Sequence, residues 1–145
     1  MKYLYLFLLC AMLSACVSNR PTKKSTGDDA MAIEERAENY YKNANLLLAE
    51  AEFQNLLNIA PRYSKAWFRL GNIYLRSNQL DAAITHYEKA IEIDPKLAKA
   101  WHNLALARIR QATNTLVEAQ QKVEAGQTQE IDFLLKKLVA MQRAE

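Results

Sequence analysis

Two asparagines, Asn72 and Asn103, and two histidines, His86 and His102, are the side chains of this 145-residue chain whose types and spacing bear on chemistry. A side-chain amide donates and accepts at once, so it can pair with a peptide group whatever side chain that group carries. The histidines are a different case. They stand sixteen residues apart on different predicted helices, and neither has a histidine three or four residues away or a cysteine with which to share a metal. Glycine occurs only at 27, 71 and 126, which leaves no Gly-rich phosphate loop and no nucleophile elbow. The acidic pairs Asp28-Asp29 and Glu34-Glu35 read as a helix N-terminus and a solvated face. These residues predict no enzyme, no bound metal and no cofactor. They favour holding another molecule over transforming it.

Charge narrows the class of that molecule. The formal net charge is +3, and removal of a leader containing Lys2 would lower it to +2. Nucleic acid would require a clustered basic face, which the sequence does not show.

The elements that position the two asparagines are repeated. Ala66-Trp67-Phe68-Arg69-Leu70-Gly71-Asn72 returns thirty-four residues later as Ala100-Trp101-His102-Asn103-Leu104-Ala105-Leu106. Pro61 returns as Pro95, and Phe53 as Tyr87. A fixed period of this length marks stacked helical hairpins rather than a single-core globule. Ile84, Tyr87, Ala90 and Ile91 follow the spacing of a buried helical stripe. Asn78-Gln79 predicts a tight turn between two helices, with Asp81 in the following first turn. Pro61 and Pro95 fall after helices, and no stretch alternates as a strand would.

These residues resemble the tetratricopeptide repeat. The unit 64–97 carries the family pattern at Trp67, Leu70, Gly71, Tyr74, Ala83, Tyr87, Ala90 and Pro95. The unit 30–63 is a degenerate copy with Ala37, Tyr40, Ala49, Phe53, Leu56 and Pro61 in register. There Ile33 replaces the tryptophan and Arg36 the leucine, as suits a terminal repeat whose outer face meets water. Residues 98–125 begin a third copy, read as its first helix, extended because no breaker interrupts Ala105, Ile109, Ala112, Leu116, Ala119 and Val123. Gly126 ends it, and 128–145 is a C-terminal capping helix with Ile131, Leu134, Leu135, Leu138 and Val139 in one stripe. The expected fold is all-α, a short helical-hairpin solenoid (a right-handed superhelix), in which small Gly71 and Ala83 let paired helices approach. The last helix either closes the open end, the favoured reading, or docks on a partner or second copy.

The first sixteen residues hold the other candidate chemistry, that of a thiol. Lys2 precedes an apolar run of eleven residues, Tyr3 to Leu13, too short for a bilayer span of about twenty and suited to a secretory signal over 1–15. Leu13-Ser14-Ala15-Cys16 resembles the lipobox of bacterial lipoproteins. That resemblance implies cleavage before Cys16, a diacylglyceryl thioether on its sulfur and an acyl group on the new amine. The alternative is an ordinary cleaved signal in which Cys16 is incidental. Residues 16–29 then read as the lipidated cysteine and a flexible tether with a reach of about 20 Å. Val17 resembles the outer-membrane sorting rule, so the expected location is the bacterial envelope, on the outer membrane facing the periplasm. With Cys10 lost in the leader, the mature chain has no disulfide to stabilise it.

The resemblance also implies a peptide-binding groove along the first helices of the hairpins, lined by Lys65, Phe68, Asn72, Leu75 and Arg76, then Lys99, His102, Asn103, Leu106 and Arg110. Some family members use asparagines at the Asn72 and Asn103 places to hold a peptide backbone. The other reading makes both ordinary exposed helix residues. Phe68 stands where a carboxylate-clamping lysine would, while Lys65, Lys99 and Arg76 favour an acidic segment. The expected role is a membrane-anchored scaffold that docks another envelope protein or peptide segment during assembly of a pilus, secretion or cell-wall complex. The alternative is a structural lipoprotein that self-assembles into a homo-oligomer through the solenoid end and the C-terminal helix.

Overall fold

The computed structural model describes residues 26–124 and 128–143. Among them lie six α-helices and no strand: α1 (Thr26–Lys42), α2 (Leu46–Ile59), α3 (Ser64–Arg76), α4 (Leu80–Ile93), α5 (Ala98–Lys122) and α6 (Gln129–Arg143). The leader, Cys16 and Gly126 lie outside the described residues, so the readings placed on them have no structural counterpart here. The first helix starts before residue 29, where the expected tether would end. Helix α1 begins at Thr26, and Asp28 and Asp29 occupy its first turn, where their negative charge complements the helix dipole.

Repetition is visible in hydrogen bonds as well as in sequence. The chain turns from α1 to α2 through Ala44 at φ 59°, and from α3 to α4 through Asn78 at φ 57°. At both corners a left-handed residue lets the next N–H reach back: Asn45 to the Tyr40 carbonyl and Gln79 to the Tyr74 carbonyl, each at 2.9 Å. The indole N–H of Trp67 donates to the Pro61 carbonyl at 2.9 Å, and that of Trp101 to the Pro95 carbonyl at 3.0 Å. Each proline therefore ends one hairpin and, through its carbonyl, fixes the tryptophan of the next.

Burial follows the same logic. Ala37, Ala49, Phe53 and Leu56 of the α1–α2 hairpin are covered by Ala66, Leu70 and Ile73 of α3. Ala83, Tyr87, Ala90 and Ile91 of α4 are covered by Phe68 of α3 and by Ala100, Leu104 and Ala107 of α5. No hairpin buries its own apolar face without the first helix of its successor. Arg36, at the place of Leu70, is covered by no preceding hairpin among the described residues; it stays exposed and forms a two-bond pair with Glu52. The polar substitution at the terminal repeat thus has its physical reason.

The third unit departs from the pattern. Helix α5 continues past Arg110 to Lys122 through the place where Ala44 and Asn78 turn the earlier hairpins, and Thr113 and Thr115 bond back to the carbonyls of Ile109 and Gln111. Helix α6 returns antiparallel along this extension, with Gln120 bonded to Asp132 and Gln142 to Thr113. It packs on α5 and on no other described helix. The closure expected of the last helix is therefore partial: it covers the far half of α5, and Trp101 remains 51% exposed.

Candidate functional site

Three side-chain pairs connect successive first helices at a separation of thirty-one residues. Lys65 Nζ reaches Glu34 Oε1 at 2.7 Å, Arg69 Nε reaches Glu38 Oε1 at 2.9 Å, and Asn103 Nδ2 reaches Asn72 Oδ1 at 2.7 Å. This constant offset is the register in which α1, α3 and α5 present their shared face.

The α1–α3 half of that face is electrostatically closed. Lys65 also approaches Glu38 at 3.3 Å, and Arg69 grips Glu38 through two bonds of 2.9 Å. Partial burial works to raise the Glu38 carboxyl, but bonds and charge from Arg69 and Lys65 outweigh it and hold it below the usual carboxylate value of 4.5. Glu34 behaves alike, its burial overcome by Lys65 and by a bond from Tyr63. Burial and the Glu34 carboxylate together push the Tyr63 hydroxyl up to about 12. The bond to Glu34 raises the Lys65 ammonium despite some desolvation. Lys65, expected to attract an acidic ligand, is instead committed within the fold. Glu34, read from sequence as part of a solvated face, is its partner.

Two of the expected groove residues are core residues. Phe68 is only 8% exposed and packs against Tyr87 with ring centroids 6.0 Å apart. Its place in the register faces inward because α5 lies over it, whereas Glu34, one repeat earlier, borders Lys65. Asn72 is 9% exposed, and its Oδ1 accepts from the Tyr87 hydroxyl at 2.9 Å as well as from Asn103. Asn72 is therefore not an ordinary exposed helix residue, and its amide oxygen is committed within the fold. Burial drives the Tyr87 hydroxyl well above the ordinary tyrosine range, so it stays protonated and donating. With the Asn72 oxygen taken, its NH₂ and the Asn103 carbonyl form no further side-chain bond among the described residues. The two amides present a donor and an acceptor side by side, held by a buried hydroxyl.

The other expected residues come together along the α3–α5 furrow. Lys99, His102 and Arg110 are exposed, and Leu106 and Asn103 half-buried, on one face of α5; Leu75 of α3 packs against the core below. Arg76 is exposed, its guanidinium 5.8 Å from the Tyr41 ring centroid. Arg110 borders a shallow depression with Asn78, Thr113, Asn114 and Gln142. His86 lies elsewhere, its Nδ1 at 2.8 Å from the Ala82 carbonyl and its ring against Trp67 and Tyr74. Among the described residues no group of three His, Cys, Asp or Glu could hold a metal, and no helix is long and apolar enough to cross a membrane.

Sequence reasoning missed Glu38, Arg69 and Tyr87 as parts of this face. Glu38 and Arg69 were legible in principle: each lies one helical turn beyond Glu34 and Lys65, in the same offset. The Tyr87 bond to Asn72 was not, because tyrosine at that place is explained by packing alone.

Residues 71–111 match the family model for the TPR repeat, and residues 52–85 match that for the tetratricopeptide repeat. No curated protein matches the chain. Among solved structures it is similar to the TPR2B domain in a complex with pHsp70, from yeast Sti1. The likeness has 22% identity and a TM-score of 0.57, and it covers 77% of this chain and 97% of that one.

Proposed function

We propose, from the tetratricopeptide repeats over residues 52–111 and the geometry around Asn103, that this chain is a binding scaffold that grips a segment of another protein along its α3–α5 furrow. Such repeats mediate protein–protein interaction. The observation that carries the reading is the amide pair. Tyr87 and Asn103 fix the Asn72 oxygen, so an amide donor and an amide acceptor lie together beside Leu106 on a rigid core. A peptide group needs that combination, and preorganisation removes the entropy cost of arranging it.

The lipobox at Cys16 supports the further reading that the scaffold works anchored in the bacterial envelope, on the outer membrane. Two or more acyl chains anchor stably where one holds only marginally. Assembly of a pilus, secretion or cell-wall complex is the setting this anchoring suits.

The test is crosslinking in cells. A photoreactive residue at Leu106 should capture another protein, and the same residue at Glu92, exposed on α4, should not. Equal capture at both sites, or none at Leu106, removes the furrow as the binding face. Asn72→Ala is unsuitable for this purpose, since it also strips a buried partner from Tyr87.

One observation favours the second reading, self-assembly. Trp101, Phe133 and Met141 are 51%, 59% and 55% exposed at the uncovered end and on α6. Light scattering on the purified chain at micromolar concentration decides it: a dimer lost on Trp101→Ala supports self-assembly, and a monomer leaves the scaffold reading alone.

A further inference from the structure

The register between first helices exposes a broken copy of an ion-pair site. Lys65 meets two carboxylates, Glu34 thirty-one residues back and Glu38 twenty-seven residues back. One repeat later Lys99 holds the equivalent position, and the same offsets lead to Phe68 and Asn72. Neither can neutralise it. Lys99 forms no ion pair among those found for the described residues, and neither do Arg76 and Arg110 at the other end of the furrow. The carboxylates that close the α1–α3 half are absent from the α3–α5 half.

We infer that the partner supplies them: the furrow takes an extended, acidic polypeptide segment with two carboxylate side chains about five residues apart, one at Lys99 and one at Arg110. This rests on the scaffold reading above and specifies its ligand. Lys99 and Arg110 are eleven residues apart on α5. Eleven residues make three helical turns, so both cations lie on one face, separated by about 16 Å. An extended chain advancing about 3.3 Å per residue covers that distance in about five residues. Leu106 and the Asn72–Asn103 amides lie between the two cations. An apolar side chain and a backbone peptide group should therefore meet the furrow midway along the segment. The separation also selects side-chain carboxylates over a chain end, because one terminal carboxylate cannot reach both cations. Closure of the α1–α3 half fixes where the segment lies, since Glu34 and Glu38 already occupy the cations Lys65 and Arg69 there.

The probe is an N-acetylated, C-amidated peptide with two glutamates about five positions apart, a leucine between them, and glycine and serine elsewhere. Binding to the full-length chain in detergent is followed by fluorescence anisotropy at low salt. Replacing both glutamates by glutamine, or shortening their spacing to about two residues, should weaken binding about tenfold. Lys99→Gln and Arg110→Gln should each cost about threefold and abolish the spacing preference, with helix content by circular dichroism unchanged. Salt should weaken the acidic peptide more than its glutamine counterpart. Equal affinity for glutamate and glutamine peptides overturns the inference. So does absence of binding by the whole set, or tighter binding of a neutral peptide with a free C-terminus. Capture at Leu106 in cells without charge dependence in these peptides would overturn this inference alone and leave the scaffold reading in place.

Discussion

The backbone of Gly71 lies against the Tyr87 ring with no room for a side chain, and Gly71→Ala tests whether this close approach sets the spacing of the central hairpin. A methyl group built on Gly71 would lie 2.5 Å from Cε1 and 2.6 Å from Cδ1 of Tyr87. Carbon atoms rest at about 3.5–4.0 Å, so the ring or the helix must move by roughly 1 Å. The ring has little freedom: Tyr87 is 0% exposed, and its hydroxyl is held by Asn72 at 2.9 Å. Two effects oppose each other. Alanine gains about 1 kcal/mol over glycine within a helix, whereas overpacking a well-filled core costs about 1–3 kcal/mol. With two ring atoms so far inside contact distance, the upper end applies, and the net loss should be about 2 kcal/mol. In urea this is a midpoint lower by about 1 M.

The first repeat supplies the control. Ala37 stands at the place of Gly71 and is fully buried in the same cluster as Phe53, which lacks the hydroxyl anchor. Tyr87→Phe alone should cost about 1 kcal/mol, because the Asn72 oxygen keeps its bond from Asn103. Combined with Gly71→Ala, it frees the ring to shift, so the double variant should lose less than the sum by at least about 0.5 kcal/mol. Unchanged stability in Gly71→Ala, or strict additivity in the pair, refutes the argument that an anchored ring against a bare backbone sets this spacing.

Three other outcomes are expected. Ala44→Gly should stabilise the chain by about 0.5–1 kcal/mol in urea, since φ 59° is left-handed backbone that alanine adopts at a cost. Stability should fall on acidification. Glu34 and Glu38 are held below their usual value of 4.5, so their contribution is present above it and fades as pH drops through the lowered values. Unfolding midpoints measured from about pH 6 to 3 should flatten in Glu38→Gln relative to the unaltered chain. Cys16→Ser should abolish incorporation of labelled palmitate; persistent labelling would remove the lipobox reading.

Fold was legible in this sequence because repetition and shape carry it. Trp67 and Trp101, Pro61 and Pro95, and Phe53 and Tyr87 recur at one interval, and each pair does the same thing in space. The end of the third repeat was less legible. The unbroken stepping from Ala105 to Val123 indicated that α5 would run on, but which half of it α6 would cover depends on how far the helices extend, not on the apolar stripe alone. At the site, Lys99, Asn103, Leu106 and Arg110 lie along one face of α5, while Phe68 and Asn72 on α3 are buried where an open groove was expected. Their burial is set by α5 and Tyr87 lying over them, and single-helix periodicity contains no information about a neighbour two helices away.

The separation between legible and illegible has a physical basis. Positions that hold the hairpins together must be alike in each copy, because each hairpin meets its neighbour by the same geometry. The furrow is defined by places where the copies differ: Glu34 gives way to Phe68 and then His102, and Glu38 to Asn72 and then Leu106. Each change leaves the helix intact and alters only what the shared face offers. Lys65 and Lys99 are the same residue at the same position, yet one is neutralised within the fold and the other is not. A repeat protein built of identical copies would have closed both sites or opened both. The replacement of two carboxylates by a phenyl ring and an amide leaves Lys99 without the ion pairs that hold Lys65.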